Sequence, residues 1–196
     1  MQARFPTRKP EGDSDFYFVP ADDPETAVPR IIELVQTRIP GRFGFNSVRD
    51  IQVLCPMNRG GVGARSLNIE WQKALNPVTD RKVERFRWTF AAGDKVMQIE
   101  NDYDKEVYNG DIGFVQDVDS EGSELTAIFD GAVTYGFGEL DALVLAYAAT
   151  IHKSQGSEYP LAGGRGGRHG PCADSCSAVN SNEARPPGLD ACAGLC

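Results

Sequence analysis

The sequence has 196 residues, of which 41% are hydrophobic and 24% charged, with a formal net charge of −8. That length holds one domain, or one domain with a small insert. The acidic balance speaks against a protein that coats nucleic acid with positive surface, but not against a motor whose strand-binding channel is local. No stretch approaches the roughly 20 apolar residues that span a bilayer, and the basic residues 1–10 have no apolar run behind them, so a cytoplasmic protein with no membrane contact is expected.

In chain order, Asp15-Phe-Tyr-Phe-Val19 reads as a short strand, aromatic and β-branched. Asp22-Asp-Pro-Glu25 has the acids and early proline of a helix start, and Ala27, Ile31, Ile32, Leu34 and Val35 follow at helical spacing, ending near Pro40-Gly41. Asp50-Ile-Gln-Val-Leu-Cys55 is a nearly continuous apolar run, the pattern of a buried parallel strand. Residues 64–75 predict a second helix with Leu67 and Trp71 on one face, stopped by Asn76-Pro77. Strand, helix, strand, helix is the rhythm of a parallel α/β domain.

The next region changes character. Short apolar runs are separated by turn signals at Ala92-Gly-Asp94, Asn109-Gly-Asp111, Ser120-Glu-Gly122 and Asp130-Gly131. Asn109-Gly110, between Glu106-Val-Tyr108 and Ile112-Gly-Phe-Val115, predicts a hairpin, because both residues tolerate positive φ. Five short strands with tight turns predict a small β-barrel, inserted into the α/β domain because an α/β-type strand resumes at Leu143-Val-Leu-Ala-Tyr147. Tyr103, Tyr108 and Phe114 could offer a stacking platform for bases, but a small barrel needs filling, and at least two of them are expected inside.

From residue 161 periodicity is lost in favour of Gly, Pro, Ala, Ser, Arg and Cys, and disorder is the physical expectation. Cys172, Cys176, Cys192 and Cys196 form two Cys-x-x-x-Cys pairs that could hold zinc, but no strand pattern flanks them. Cys55 stands alone in its apolar run, as a buried apolar residue would.

The segment richest in chemistry is Ala149-Thr-Ile-His-Lys-Ser-Gln-Gly-Ser-Glu158. It puts a hydroxyl, an imidazole, an ammonium, an amide and a carboxylate at the C-terminal end of a buried strand, where open α/β sheets bind ligands. Thr150, Ser154 and backbone N–H groups suit phosphate oxygens, and Lys153 could add charge. Gly156 permits close backbone approach, and Gln155 and Glu158 could position a nucleotide, its metal or a loop. A polar loop that merely caps a helix accounts for the same residues.

His152-Lys-Ser-Gln-Gly-Ser-Glu158, preceded by Tyr147-Ala-Ala-Thr150, resembles motif V of superfamily 1 DNA helicases in its RecD-like form (the exodeoxyribonuclease V alpha subunit type). The run from Asp50 to Gly60, then Gly63, Leu67-Asn68, Gln72 and Leu75-Asn-Pro77, resembles the strand and helix of motor domain two in that family. Gly93-Asp-Lys-Val-Met-Gln98, Asn101-Asp-Tyr-Asp104 and Val107-Tyr-Asn-Gly-Asp-Ile-Gly113 resemble the SH3-like barrel inserted there. The resemblance covers residues 16–160. It implies an incomplete RecA-like parallel-sheet motor domain in residues 1–82, the SH3-like insert in 83–141, a return to the motor domain with motif V in 142–160, and a disordered tail in 161–196.

The same resemblance implies a motor moving 5′ to 3′ along single-stranded DNA with ATP and Mg2+. Thr150, His152 and Ser154 would face the DNA, as would Asn58 and Arg59 after the first core strand, although a solvated surface arginine accounts equally for Arg59. Gln155, Gly156 and Glu158 would face the nucleotide. Implied partners are single-stranded DNA, motor domain one of the same protein and helicase–nuclease subunits.

The Gly-x-x-x-x-Gly-Lys-[Ser/Thr] phosphate loop and the magnesium-binding acidic pair of motor domain one are absent from these residues, so turnover of ATP by this chain alone is not expected. The family's upstream arginine motif would precede Met1. After Pro160 the family's apolar strand and Thr-Arg-Ala motif give way to a Gly/Arg/Cys-rich stretch, read as out-of-frame or foreign sequence. Two alternatives stay open: a non-catalytic single-stranded DNA-binding or protein-interaction module built on the barrel, and a zinc-dependent module built on the tail.

Overall fold

The computed structural model describes residues 16–19, 24–55, 63–77, 81–154, 161–165 and 192–195. The chain divides into two compact units, one from Met1–Ala64 with Ala149–Cys196 and the other Arg65–Ala148.

The first unit is built on a five-stranded sheet. Strand β1 is Phe16–Val19. Helix α1, Pro24–Glu33, runs through a wide π turn at Leu34–Arg38 into α2, Ile39–Phe43. One stripe every fourth residue, Ala27, Ile31, Val35 and Ile39, is buried, as an amphipathic helix requires. The helical path passes the expected stop at Pro40-Gly41. Pro40 is the second residue of α2, just after the wide π turn, and Gly44 ends the helix at φ 74° with its N–H donating to Pro40 O at 2.9 Å.

Strand β2, Ile51–Cys55, is buried along its whole length, as its apolar run predicts. The other strands of this sheet are β10, Ala148–Thr150, β11, Leu161–Arg165, and β12, Cys192–Leu195; the order is β1-β12-β11-β2-β10. β11 pairs parallel with β2, Leu161 opposite Ile51 and Gly164 opposite Leu54, and parallel with β12 on its other side. The sequence offers no pattern for β11 and β12. A ladder is made by main-chain groups, and the edge of β2 can be satisfied by a segment with no apolar alternation. Residues 166–191 and 196, which include Cys172, Cys176 and Cys196, lie outside the described residues.

The second unit opens with helix α3, Ala64–Leu75. After it come β3, Lys82–Arg85, β4, Trp88–Ala91, β5, Lys95–Gln98, β6, Ile112–Asp119, β7, Glu124–Ile128, β8, Ala132–Gly136, a 3-10 turn at Leu140–Ala142, and β9, Leu143–Leu145. β3 and β4 form one antiparallel ribbon; the other five form an antiparallel sheet in the order β8-β7-β6-β5-β9. Val83, Phe90, Val96, Met97, Val115, Leu125, Tyr135, Leu140 and Leu143 fill its core.

Two expectations are corrected here. Leu143-Val-Leu145 does not join the parallel sheet: it pairs antiparallel with β5, Leu145 opposite Val96, and the chain reaches the other sheet only at β10. A short apolar run buried in either sheet looks the same in sequence. Asn109-Gly110 is a turn, with Gly110 at φ 103° and Asp111 N–H donating to Tyr108 O at 3.0 Å, but residues 106–108 are no strand. β6 pairs with β5 across a loop in which Val107 meets Asp102 in a single bridge.

A polar network ties α3 to the strands. Asp94, fully buried, accepts hydrogen bonds from Gln72 Nε2 at 2.5 Å, Asn76 Nδ2 at 2.7 Å, Ala91 N at 2.7 Å and Tyr147 OH at 2.8 Å. Burial raises the carboxyl's pKa, and the four donors work against that rise. Burial, with the neighbouring Asp94 charge, also holds the Tyr147 phenol protonated. Asn68 is a second staple: Nδ2 donates to Leu145 O at 2.9 Å and Ala148 O at 2.8 Å, and Oδ1 accepts from Ala148 N at 2.7 Å.

Candidate nucleic-acid interface

β2 and β10 leave their sheet at the same end. Ile151 N–H, just after β10, donates to Cys55 O at 3.1 Å, and Cys55 Sγ donates to Ala149 O at 3.3 Å. The two polar segments singled out by sequence, after Cys55 and after Thr150, therefore start side by side at a strand-exit edge, where α/β sheets place ligands.

Residues 151–154 form a tight helical turn. Thr150 organises it: its carbonyl accepts from Lys153 N at 3.0 Å and Ser154 N at 3.1 Å, and its Oγ1 accepts from Lys153 N at 3.3 Å. The Thr150 hydroxyl caps this turn as an N-cap side chain would. Thr150 is half-buried and His152 exposed, while Ser154, expected to face DNA, is buried. Partial desolvation lowers the Lys153 pKa. Of the residues assigned from sequence, Thr150, His152 and Ser154 come together in this turn; Asn58, Arg59, Gln155, Gly156 and Glu158 lie outside the described residues. Among the described residues no group of three His, Cys, Asp or Glu side chains could hold a metal ion.

The barrel aromatics fall differently from expectation. Tyr103 is 73% exposed and Tyr108 is also exposed, the two rings edge-to-face at 6.0 Å, while Phe114 is half-buried. Val107, between the tyrosines, fills the core position instead. Glu100, Asp102, Asp104 and Glu106 neighbour this pair in the chain, with Lys105 the one cation of the segment, an acidic balance that disfavours phosphates. A cleft of about 370 Å3 lies beside it, lined by Gln98, Glu100, Asn101, Asp102, Tyr103, Asp104 and Ala142.

Sequence reading missed the β3–β4 ribbon, which carries Arg81, Lys82, Arg85, Phe86 and Arg87. The density of cations at 81–87 was its available signal; the turn itself has none of the usual turn residues.

The described residues thus form a parallel α/β unit with a polar turn at its strand exits and a small antiparallel β unit. Comparison with known proteins gives the more particular likeness. Residues 67–129 match the family described as ATP-dependent RecD-like DNA helicase SH3 domain. The chain is 42% identical over 110 residues to the ATP-dependent RecD2 DNA helicase of Deinococcus radiodurans, covering 56% of this chain and 15% of that protein. It is 31% identical over 137 residues to the RecBCD enzyme subunit RecD of Mycolicibacterium smegmatis, covering 68% of this chain and 24% of that protein. The chain thus resembles one segment of the RecD-like helicases and spans less than a quarter of these relatives' length. A Pif1 helicase structure from Bacteroides, in complex with ADP-AlF3 and single-stranded DNA, is a remote likeness, at 16% identity and a TM-score of 0.45 over 76% of this chain and 44% of that one. No helix among the described residues is long and apolar enough to cross a membrane.

Proposed function

We propose that this chain supplies part of the second motor domain of an ATP-dependent DNA helicase moving 5′ to 3′ on single-stranded DNA. The observation that carries this is the pairing of strand exits at Cys55 and Ile151, with the Thr150-capped turn beside them. The likeness of residues 67–129 to the RecD-like SH3 domain supports it.

In this reading His152 and Thr150 meet the DNA backbone at the surface of the turn, and the buried Ser154 lies behind them on the same, DNA-facing turn. Asn58 and Arg59, which follow β2, reach the same strand. Gln155, Gly156 and Glu158 face the nucleotide. ATP with Mg2+ supplies the energy of translocation in the complete enzyme, through a phosphate loop and acidic pair that these residues lack. Motor domain one of the same protein, and subunits of a helicase–nuclease assembly, are the partners.

The test is binding of a labelled oligothymidylate at low salt by the wild-type chain and by a Thr150→Val, His152→Ala variant. A loss of affinity of roughly thirtyfold is expected, on the order of 1 kcal/mol for each of the two lost phosphate contacts. Binding unaffected by the double substitution would point instead to a module in which the barrel alone holds nucleic acid or protein.

A further inference from the structure

The β3–β4 ribbon closes with a two-residue turn, since Arg85 pairs with Trp88. Both turn residues are left-handed, Phe86 at φ 49° and Arg87 at φ 70°. Such turns favour Asn-Gly because positive φ costs a side-chain-bearing residue dearly, and a bulky residue there is an outlier. Strain of this kind persists where it serves something other than stability.

The strained tip also exposes an aromatic ring. Phe86 is 52% exposed, and on β3 only Val83 is buried. Arg85 and Arg87 flank the ring in the chain, Arg85 lying over the Phe137 ring at 6.0 Å, while Arg81 and Lys82 stand at the far end of β3 with Glu84 as the ribbon's carboxylate. Arg81–Asp117 at 3.3 Å and Lys82–Glu84 at 2.9 Å are exposed pairs, which hold their cations weakly. Arg87 makes no ion pair or hydrogen bond among the described residues. A bare ring amid cations suits single-stranded nucleic acid: any base can stack on it and its phosphates meet guanidinium groups. The acidic setting of Tyr103 and Tyr108 is the opposite case on the same unit.

We propose that the β3–β4 turn is a single-strand contact, in which a base stacks on Phe86 while Arg85 and Arg87 take the flanking phosphates. The proposal rests on the reading of the chain as a DNA-handling segment. The test uses the full chain and labelled oligothymidylate, titrated between 50 and 200 mM salt. No binding by the wild-type chain would overturn the functional reading together with this one. With wild-type binding present, Phe86→Ala is expected to weaken it about tenfold, within the range that loss of one stacked base produces. Arg87→Ala is expected to reduce the slope of log affinity against log salt by roughly 0.7, one phosphate's worth. Replacing Phe86 by Asn and Arg87 by Gly supplies the residues the turn prefers, and should raise the thermal midpoint while lowering affinity. A raised midpoint with unchanged affinity, or Phe86→Ala binding as wild type does, would overturn the proposal and leave the turn without a ligand.

Discussion

Cys55 ends a strand in which every residue is buried; its Sγ donates to the Ala149 carbonyl at 3.3 Å, and a backbone hydrogen bond at Ala64 only partly offsets the effect of burial on the thiol. A thiolate there would lose its water and face a carbonyl oxygen. Burial accordingly pushes the thiol from 9.0 up to about 11. The fold therefore prefers the neutral form more strongly than the unfolded chain does. Below pH 9 this preference leaves stability unchanged; between about 9 and 11 the unfolded state loses its proton first and stability falls, by at most ~3 kcal/mol. The measurement is urea denaturation of wild type and Cys55→Ala across that window. The two curves should converge as pH rises, because only the wild type has this group to titrate, while the other cysteines cancel in the difference. Parallel curves would show that Cys55 reaches water. That Cys55 is an apolar core residue was legible in sequence from its neighbours. What could not be read was its place beside the turn at Thr150, a contact 94 residues away along the chain.

At the scale of elements, glycines decide two questions. Gly113 lies inside β6, and a Cβ added there would stand 2.6 Å from Ile128 O and 2.7 Å from the Phe129 ring. The obstacle includes main chain of a paired strand, which cannot swing aside. Gly113→Ala should destabilise the chain by about 1–3 kcal/mol, the usual cost of overpacking. Gly131, in the β7–β8 turn, has nothing within 4 Å of such a Cβ and no positive φ, so Gly131→Ala is the matched control and should be near neutral. Equal effects at the two sites would mean that β6 and β7 are not packed as described. The turns at residues 92–94, 120–122 and 130–131 were legible because Gly, Asp and Ser solve the turn's own geometry locally. The Phe86-Arg87 turn was not, because its residues are poor at that geometry and only the pairing of β3 with β4 imposes it. Leu143–Leu145 was misplaced for a different reason: partner choice is a long-range property that three apolar residues do not encode.

At the scale of the molecule, the question is where the barrel unit begins. Turn signals place its start near residue 83, but the compact unit runs from Arg65 to Ala148, and the family match begins at Leu67. Hydrogen bonding explains the earlier start. Two of the four donors to Asp94, Gln72 and Asn76, come from α3 or its end, and Asn68 holds the backbone of residues 145 and 148. Without α3 the Asp94 carboxylate would be a buried charge with half its donors gone, which costs several kcal/mol, and the fully buried Trp71 and Leu67 would be lost from the core. A polypeptide of residues 65–148 should therefore unfold cooperatively in urea, and one of residues 81–148 should not, as followed by far-ultraviolet circular dichroism. Asp94→Ala in the longer piece should remove most of the difference between them. If the shorter piece unfolded with the same midpoint as the longer, α3 would be no part of the barrel's stability, and the Asp94 network would be a consequence of packing rather than a cause of it.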